Sequence, residues 1–237
     1  MTKRIAIIPA RGGSKRIPDK NIRDFCGRPM ISYALQAAKE SKLFDVIHVS
    51  TDSERTAQTV TQLGFSVDFM RPMELADDHT PIMPVLKYVL ETYHERGIEF
   101  EEVTLIMACV PLLEAEDLIQ ASKLKAENSH QKKVLGVAPY PVAVEWAFKR
   151  HVDGTMLPVQ PGMFSVRSQD LDVKYFDAGL FCFLSAEQVL VSEGAGTDDA
   201  FLGQIVPKYK VIDIDEPEDW ILAEALYIGL KNIQNIR

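Results

Sequence analysis

The chain opens on a strand-length apolar run, Ile5-Ala6-Ile7-Ile8, and loses its hydrophobic residues abruptly at Arg11-Gly12-Gly13. Apolar runs without polar alternation suit strands that are covered on both faces of a sheet. Similar runs recur at 46–50, 103–108, 134–137 and 177–183, with shorter strands expected at 65–70 and 211–214. Between them the apolar spacing turns helical: Ile31, Ala34, Leu35 and Ala38 share one face of a helix predicted over 30–41. Pro29 fits the first position of that helix, where its missing N–H costs nothing. Further helices are expected from a cap at Asp52 or Ser53 to Gly64, over 85–94, 116–127 and 185–191, and from Glu216-Pro217 to about 231. Strand and helix alternate, which predicts an α/β fold with a doubly wound, mostly parallel sheet.

The pattern changes over 139–168. Short β-like pieces at 146–150 and 155–159 flank the turn Val152-Asp153-Gly154, which reads as a hairpin inserted into one α/β domain spanning 1–237. Trp146, Phe148, Met156, Leu157 and Met163 are much apolar surface for an excursion into solvent, so a subunit interface is expected there.

Composition narrows the class. At 237 residues, 46% hydrophobic and 25% charged, the chain is long enough to bury a core and has the make-up of a soluble globular protein. No apolar run reaches membrane-spanning length, and Met1-Thr2-Lys3-Arg4 leads into a strand rather than a signal segment. Cys26, Cys109 and Cys182 have no metal-ligand spacing, and their scatter fits a reducing, cytoplasmic setting. The net charge of −8 argues against nucleic acid as a partner. Residues 1–30 nevertheless hold eight Lys and Arg against Asp19 and Asp24, a balance of +6 that leaves −14 for the remainder. A basic entrance on an acidic protein suits a small anion held at one place.

That entrance is the loop after the first strand. Gly12 and Gly13 can offer backbone N–H groups in a concavity that suits anions, with Arg11, Ser14 and Lys15 around them. Neither the dinucleotide fingerprint nor the Walker pattern is present. A solvated surface turn is the competing reading, but the carboxyl end of a first buried strand is where open α/β sheets bind ligands. At the other end of the chain, Asp213 and Asp215 alternate at strand spacing and so share a face. Paired carboxylates on an apolar segment need a neutralising group, and a divalent ion such as Mg²⁺, shared with substrate phosphates, supplies it. Asp215 alone could instead cap the last helix.

The string Ala10-Arg11-Gly12-Gly13-Ser14-Lys15-Arg16-Ile17-Pro18-Asp19-Lys20-Asn21 resembles the signature of the CMP-sugar synthetases that activate sialic acids and related 2-keto sugar acids. Val49-Ser50-Thr51-Asp52, Arg71-Pro72 with Leu75-Ala76-Asp77-Asp78, and Ile212-Asp213-Ile214-Asp215 continue the likeness in the family's order. The resemblance implies a nucleotidyltransferase fold, with Arg11, Lys15 and Asp215 acting in catalysis. Arg11, Gly12, Gly13, Ser14, Lys15, Lys20, Asn21 and Arg71 would bind CTP, and Asp213 and Asp215 would bind Mg²⁺. An ion pair of Arg71 with Asp77 or Asp78 is the alternative for that residue. Arg167-Ser168-Gln169-Asp170-Leu171 and Asp177-Ala178-Gly179 resemble the pseudaminic acid cytidylyltransferases and place Arg167, Gln169 and Asp177 on the sugar acid. Leu180 and Cys109-Val110-Pro111 depart from that subgroup, whose pattern has Gln and Thr-Ala-Pro there; Met107 to Leu113 and Phe176 depart from the N-acetylneuraminate enzymes. The implied reaction transfers CMP from CTP to a nine-carbon sugar acid, first pseudaminic acid, with the legionaminic and N-acetylneuraminic acids as alternatives. The implied assembly is a homodimer packed through the 139–168 arm. A protein that keeps the fold and binds nucleotide without turnover is the alternative of a different class.

Overall fold

In the computed structural model, the described residues are 3–128, 132–194 and 201–236. The chain runs β1 (Arg4–Pro9), β2 (Asp24–Phe25), β3 (Arg28–Pro29), α1 (Ile31–Ser41), β4 (Val46–Ser50), α2 (Glu54–Gln62), α3 (Ile82–Glu95), β5 (Glu102–Ile106) and α4 (Ala115–Glu127). It continues through β6 (Lys133–Pro139), β7 (Phe148–Arg150), β8 (Met156–Pro158), β9 (Tyr175–Ser185), α5 (Ala186–Leu190), β10 (Phe201–Ile205) and α6 (Pro217–Ile236). Six strands form one sheet in the order β10-β6-β9-β5-β1-β4. All neighbours are parallel except β9, which runs antiparallel to both β5 and β6.

The unbroken apolar run of β1 is explained by what covers it. Ile5 and Ile7 pack with Leu86, Val89 and Tyr93 of α3 on one face. Ala6 and Ile8 pack with Ala34, Leu35 and Ala38 of α1 and with Leu118 of α4 on the other. Helices on both faces make this the α/β, mostly parallel arrangement that the alternation predicts.

Four local expectations are corrected. Residues 65–70 are not a strand: the segment crosses the sheet edge, Phe65 and Val67 packing into one core and Phe69 into the other, where it stacks on His48 at 4.4 Å. Residues 211–214 are extended without strand pairing, and the last strand is instead β10, whose Gly203 and Gln204 hide its pattern. Pro29 lies in β3, two residues before α1, because the chain makes a tight hairpin first. Its turn residues Cys26 and Gly27 have φ of 50° and 92°, the positive values a two-residue hairpin loop needs. Trp146 falls in a 3₁₀ turn, so the inserted hairpin consists only of β7 and β8.

The segment that follows β10 is anchored by a buried ion pair. Lys210 donates to Glu114 Oε2 at 2.6 Å and to the Asp117 carboxylate at 2.7 and 2.9 Å, at the start of α4. Burial alone would lower the Lys210 pKa, but its bonds to Asp117 and Glu114 outweigh it and raise it. This pair holds the approach to Asp213 and Asp215 against the rest of the fold. Lys210→Met would leave Asp117 without its cationic partner, with only the Glu114 N–H to accept from, an expected loss of about 3–5 kcal/mol in denaturant unfolding. A loss below about 1 kcal/mol would mean the pair is solvated and the anchor lies elsewhere.

Candidate active site

The strand pairings put the carboxyl ends of β1, β4, β5 and β6 on one edge of the sheet, together with the amino end of the antiparallel β9. The basic loop leaves β1 at this edge. Its backbone is held from two sides: Gly12 N donates to Asp52 Oδ1 at 3.0 Å, and Asn21 Nδ2 donates to the Arg11 carbonyl at 3.0 Å. Asn21 Oδ1 in turn accepts from the Cys109 thiol at 3.3 Å, and burial pushes that thiol up to about 12. Gly12 must be glycine, since a Cβ there would sit 2.8 Å from Ser53 Cβ. Nothing lies within 4 Å of a Cβ at Gly13.

The cations of the loop divide into two groups. Arg11 donates to Asp78 Oδ1 at 2.6 Å and to the Asp77 carbonyl at 3.0 Å, while Lys15 pairs with the other oxygen of Asp78. The hydrogen bond from Lys15, then that from Arg11, hold the Asp78 carboxyl at about 2. On the other flank Arg16 donates to Asp215 Oδ2 at 2.7 Å and to Glu216 Oε1 at 3.1 Å. Lys20 reaches Asp215 Oδ1 at 3.2 Å and the Ile214 carbonyl at 2.8 Å. Neighbouring residues of one loop thus touch both the 77–78 turn and the 213–216 segment, which come from distant parts of the chain.

The two aspartates differ. Partial burial pushes Asp215 up, but the hydrogen bonds and charges of Lys20 and Arg16 outweigh it and hold it below the usual carboxylate range. Asp213 is raised, first by partial burial and then by the charge of Asp215, and among the described residues it has no hydrogen-bond or ion-pair partner. An unpaired carboxylate beside a second one, both oxygen donors, fits a hard divalent cation that takes its other ligands from phosphate and water. Among the described residues no third His, Cys, Asp or Glu completes a protein-only cage.

The remaining expected residues fall into place unequally. Arg71 is buried and its guanidinium clamps the end of β4, with bonds to Ser50 O at 2.5 Å and Ser50 Oγ at 3.1 Å. Of its expected alternative partners, Asp78 is taken by Arg11 and Lys15, and the Asp77 carboxylate accepts from the backbone N–H groups of His79 and Thr80. Burial, moderated by Asp52 and reinforced by Arg11, lowers the Arg71 pKa. Ser14 is half-buried in the loop. Arg167 and Gln169 are exposed in the segment returning from the hairpin, and no bond among the described residues joins them to the loop. Asp177 accepts from Gly179 N at 2.8 Å and lines a groove with Met83, Cys182 and Phe201, apart from Arg167.

Three residues that bear on the site were not among the expected ones. Asp52 does not cap α2; Ser53 does, accepting from Thr56 N at 3.2 Å, and Asp52 is thereby free to hold Gly12. Asp78 and Arg16 lay inside the recognised motifs, but their roles depend on pairings across more than 60 residues, which no local pattern announces.

Comparison with known proteins agrees with this geometry. A family model described as cytidylyltransferase matches residues 5–204. A pseudaminic acid cytidylyltransferase of Campylobacter jejuni is 32% identical over 225 residues, covering 95% of this chain and 96% of that protein. A CMP-N,N'-diacetyllegionaminic acid synthase of Legionella pneumophila is 30% identical, covering 94% and 95%. In solved structures, a CMP:2-keto-3-deoxy-manno-octonic acid synthetase complexed with CTP superposes with a TM-score of 0.71 at 17% identity, over 96% of this chain and 99% of that one. With its basic loop at the carboxyl edge of an α/β sheet and the family match across most of its length, the chain belongs to the cytidylyltransferases, enzymes that transfer a nucleotidyl group from CTP.

Proposed function

We propose that this protein transfers CMP from CTP to a nine-carbon 2-keto sugar acid, pseudaminic acid first, releasing pyrophosphate. The observation that carries the reading is the meeting of four loop cations with carboxylates on two flanks of one loop, Asp78 on one side and Asp215 on the other. A triphosphate with its metal is the ligand whose charges match both flanks. The names of the Campylobacter and Legionella relatives support sugar acids of the pseudaminic and legionaminic type as acceptors.

On this reading the anomeric hydroxyl oxygen of the sugar acid attacks the α-phosphorus. The new O–P bond forms as the bond from the α-phosphorus to the bridging oxygen breaks, pyrophosphate leaves with the electron pair, and the hydroxyl proton is released to water. Such transfers ask the protein chiefly for positioning and charge stabilisation. Arg11 and Lys15 turn from Asp78 to the departing phosphates, with the Gly13 N–H and the Ser14 hydroxyl beside them; the Gly12 N–H, expected on the phosphates, stays with Asp52. Lys20 and Asn21 keep the loop in shape, and Arg71 fixes the end of β4 next to it. Asp213 and Asp215 would hold Mg²⁺, which when bound neutralises charge on the phosphate oxygens. Arg167 is assigned to the substrate carboxylate, with Gln169 and Asp177 on other polar groups of the sugar. The exposed Phe148, Met156, Leu157 and Phe164 of the hairpin region support a second copy of the chain as the arm's partner.

Asp215→Ala should lower Mg²⁺-dependent pyrophosphate release by at least about 100-fold while circular dichroism stays unchanged. Undiminished release would remove the metal assignment. Arg167→Ala should raise the KM of the sugar acid by about 10–100-fold and leave that of CTP alone, the size of a lost charge-assisted bond; a shift in the CTP value instead would show that the pocket is divided differently. Because Asp78 competes with phosphate for Arg11 and Lys15, Asp78→Asn should lower the KM for CTP, by roughly two- to fivefold for so exposed a pair. A higher KM would mean that Asp78 positions those cations rather than occupying them.

A further inference from the structure

The peptide unit between Arg11 and Gly12 is gripped from both sides. Its carbonyl accepts from Asn21 Nδ2 at 3.0 Å, and its N–H donates to Asp52 Oδ1 at 3.0 Å. In a trans peptide these two groups point in opposite directions within one plane, so the two bonds together fix how that plane is turned. Two glycines follow Arg11, and glycine supplies no stiffness of its own. Nothing lies within 4 Å of a Cβ at Gly13 to supply any. The grip therefore decides where the Arg11 side chain and the Gly13 N–H point.

Of the two supports, Asn21 is the one whose orientation must be chosen. Its amide could turn over, which would set Oδ1 against the Arg11 carbonyl, acceptor against acceptor. The group at the other end of the amide is Cys109. The Arg11 carbonyl can only accept, so Nδ2 faces it and Oδ1 faces Cys109 Sγ at 3.3 Å; the thiol must then be the donor. The rest of the sulfur packs against the apolar cluster of Ile17, Phe25, Met30 and Ile214, surroundings that suit a small apolar group with a weak donor. Cys109 lies just past the end of β5, and β5 pairs with β1, so the thiol reaches the loop from the neighbouring strand. The main chain of Asn21 is held separately, its carbonyl accepting from Ile31 N at 2.8 Å. What is left for Cys109 to set is the amide.

We propose that Cys109 is a positioning residue for the nucleotide: its S–H orients the Asn21 amide and, through it, the Arg11–Gly12 peptide, so that Arg11 and the Gly13 N–H face the phosphates of CTP together. This rests on the placing of CTP at the loop given above and deepens it. A sulfur that merely filled space would leave the half-buried Asn21 Oδ1 without this donor.

The test compares Cys109→Thr with Cys109→Val, which match in shape and differ in the hydroxyl donor. In calorimetric titration with CTP and Mg²⁺, Cys109→Val should weaken the dissociation constant about three- to tenfold, the size of one modest hydrogen bond. Cys109→Thr should restore it to within about twofold of the wild type. In pyrophosphate release the KM for CTP should follow the same order, while that of the sugar acid changes by less than about twofold. On an Asn21→Ala background the two variants should bind CTP alike. Equal affinities with Asn21 in place, or a difference that survives its removal, overturn the proposal. Cys109→Ser and Cys109→Ala serve as the pair if thermal melting shows that Cys109→Val does not fold. Should the wild type bind no CTP, the infrared S–H stretch of Cys109, taken as the difference between the wild type and the variant without a donor, separates the two ideas. A band that moves to higher frequency on Asn21→Ala upholds the grip on the loop and removes CTP from it; an unmoved band removes the role of Cys109 as well.

Discussion

Two isoleucines set the geometry on which everything else depends. Ile17, in the middle of the basic loop, and Ile214, between the two aspartates, are both fully or nearly fully buried in one small apolar cluster with Phe25, Met30, Tyr33 and Trp220. Burying each is worth about 1.5–3 kcal/mol. Phe25 meets Tyr33, Trp220 and Tyr227 edge to face at 5.4–5.7 Å, so the cluster is stiff as well as dry. Because Ile17 follows Arg16 and Ile214 lies between Asp213 and Asp215, burying the two isoleucines turns these charged neighbours outward toward each other. The cations at 16 and 20 and the carboxylate at 215 meet as a consequence of packing, not chiefly of their own attraction, which at such exposure is worth little.

Within that frame charge decides how the loop waits. Between Arg11 and Arg23 the loop carries five cations, and unopposed they would repel one another and spread. Asp78 and Asp215 oppose them from two sides, each holding two cations. Pairs of this kind, whose carboxylates are a third or more exposed, cost little to break. They can keep the loop near its working shape and still yield to a ligand with more negative charge. The deeper supports are of another type: Asp52 on the Gly12 N–H, Asn21 on the Arg11 carbonyl, and Arg71 on the end of β4 bond to backbone. Backbone supports have no reason to let go when nucleotide arrives, so the loop's scaffold persists while its side chains exchange partners.

The sheet was legible in the sequence wherever one strand fills both faces with apolar residues, as β1, β4 and β5 do. It was not legible where an extended segment packs without a ladder. Residues 65–70 and 211–214 have strand-like patterns because they bury alternate side chains, and a pattern cannot say whether a neighbour's backbone is present to pair with. β10 failed the other way: it has its partner in β6, but Gly203, where a Cβ would meet Val137 Cγ2 at 2.9 Å, and Gln204 erase its hydrophobic signal. At the site, the loop residues were visible as a motif, whereas Asp78, Asp52 and Arg16 acquire their roles only from chain segments 40 to 199 positions away. The choice between Asp52 and Ser53 as cap of α2 is of this kind, since either side chain serves locally and only the approach of Gly12 decides.

The reversed direction of β9 extends the site beyond the nucleotide loop. In a sheet of parallel strands only the carboxyl ends gather at the binding edge, and the amino end of a strand lies on the far side. β9 enters from the same edge at which β6 leaves, with the hairpin arm as the connection. Its first residues, and the 167–174 segment before it, are therefore delivered to the binding edge rather than away from it. A purely parallel order would have placed the start of β9 at the opposite edge, away from the basic loop. The arm, read from sequence as an apolar excursion, is thus also the device that turns the chain around between β6 and β9.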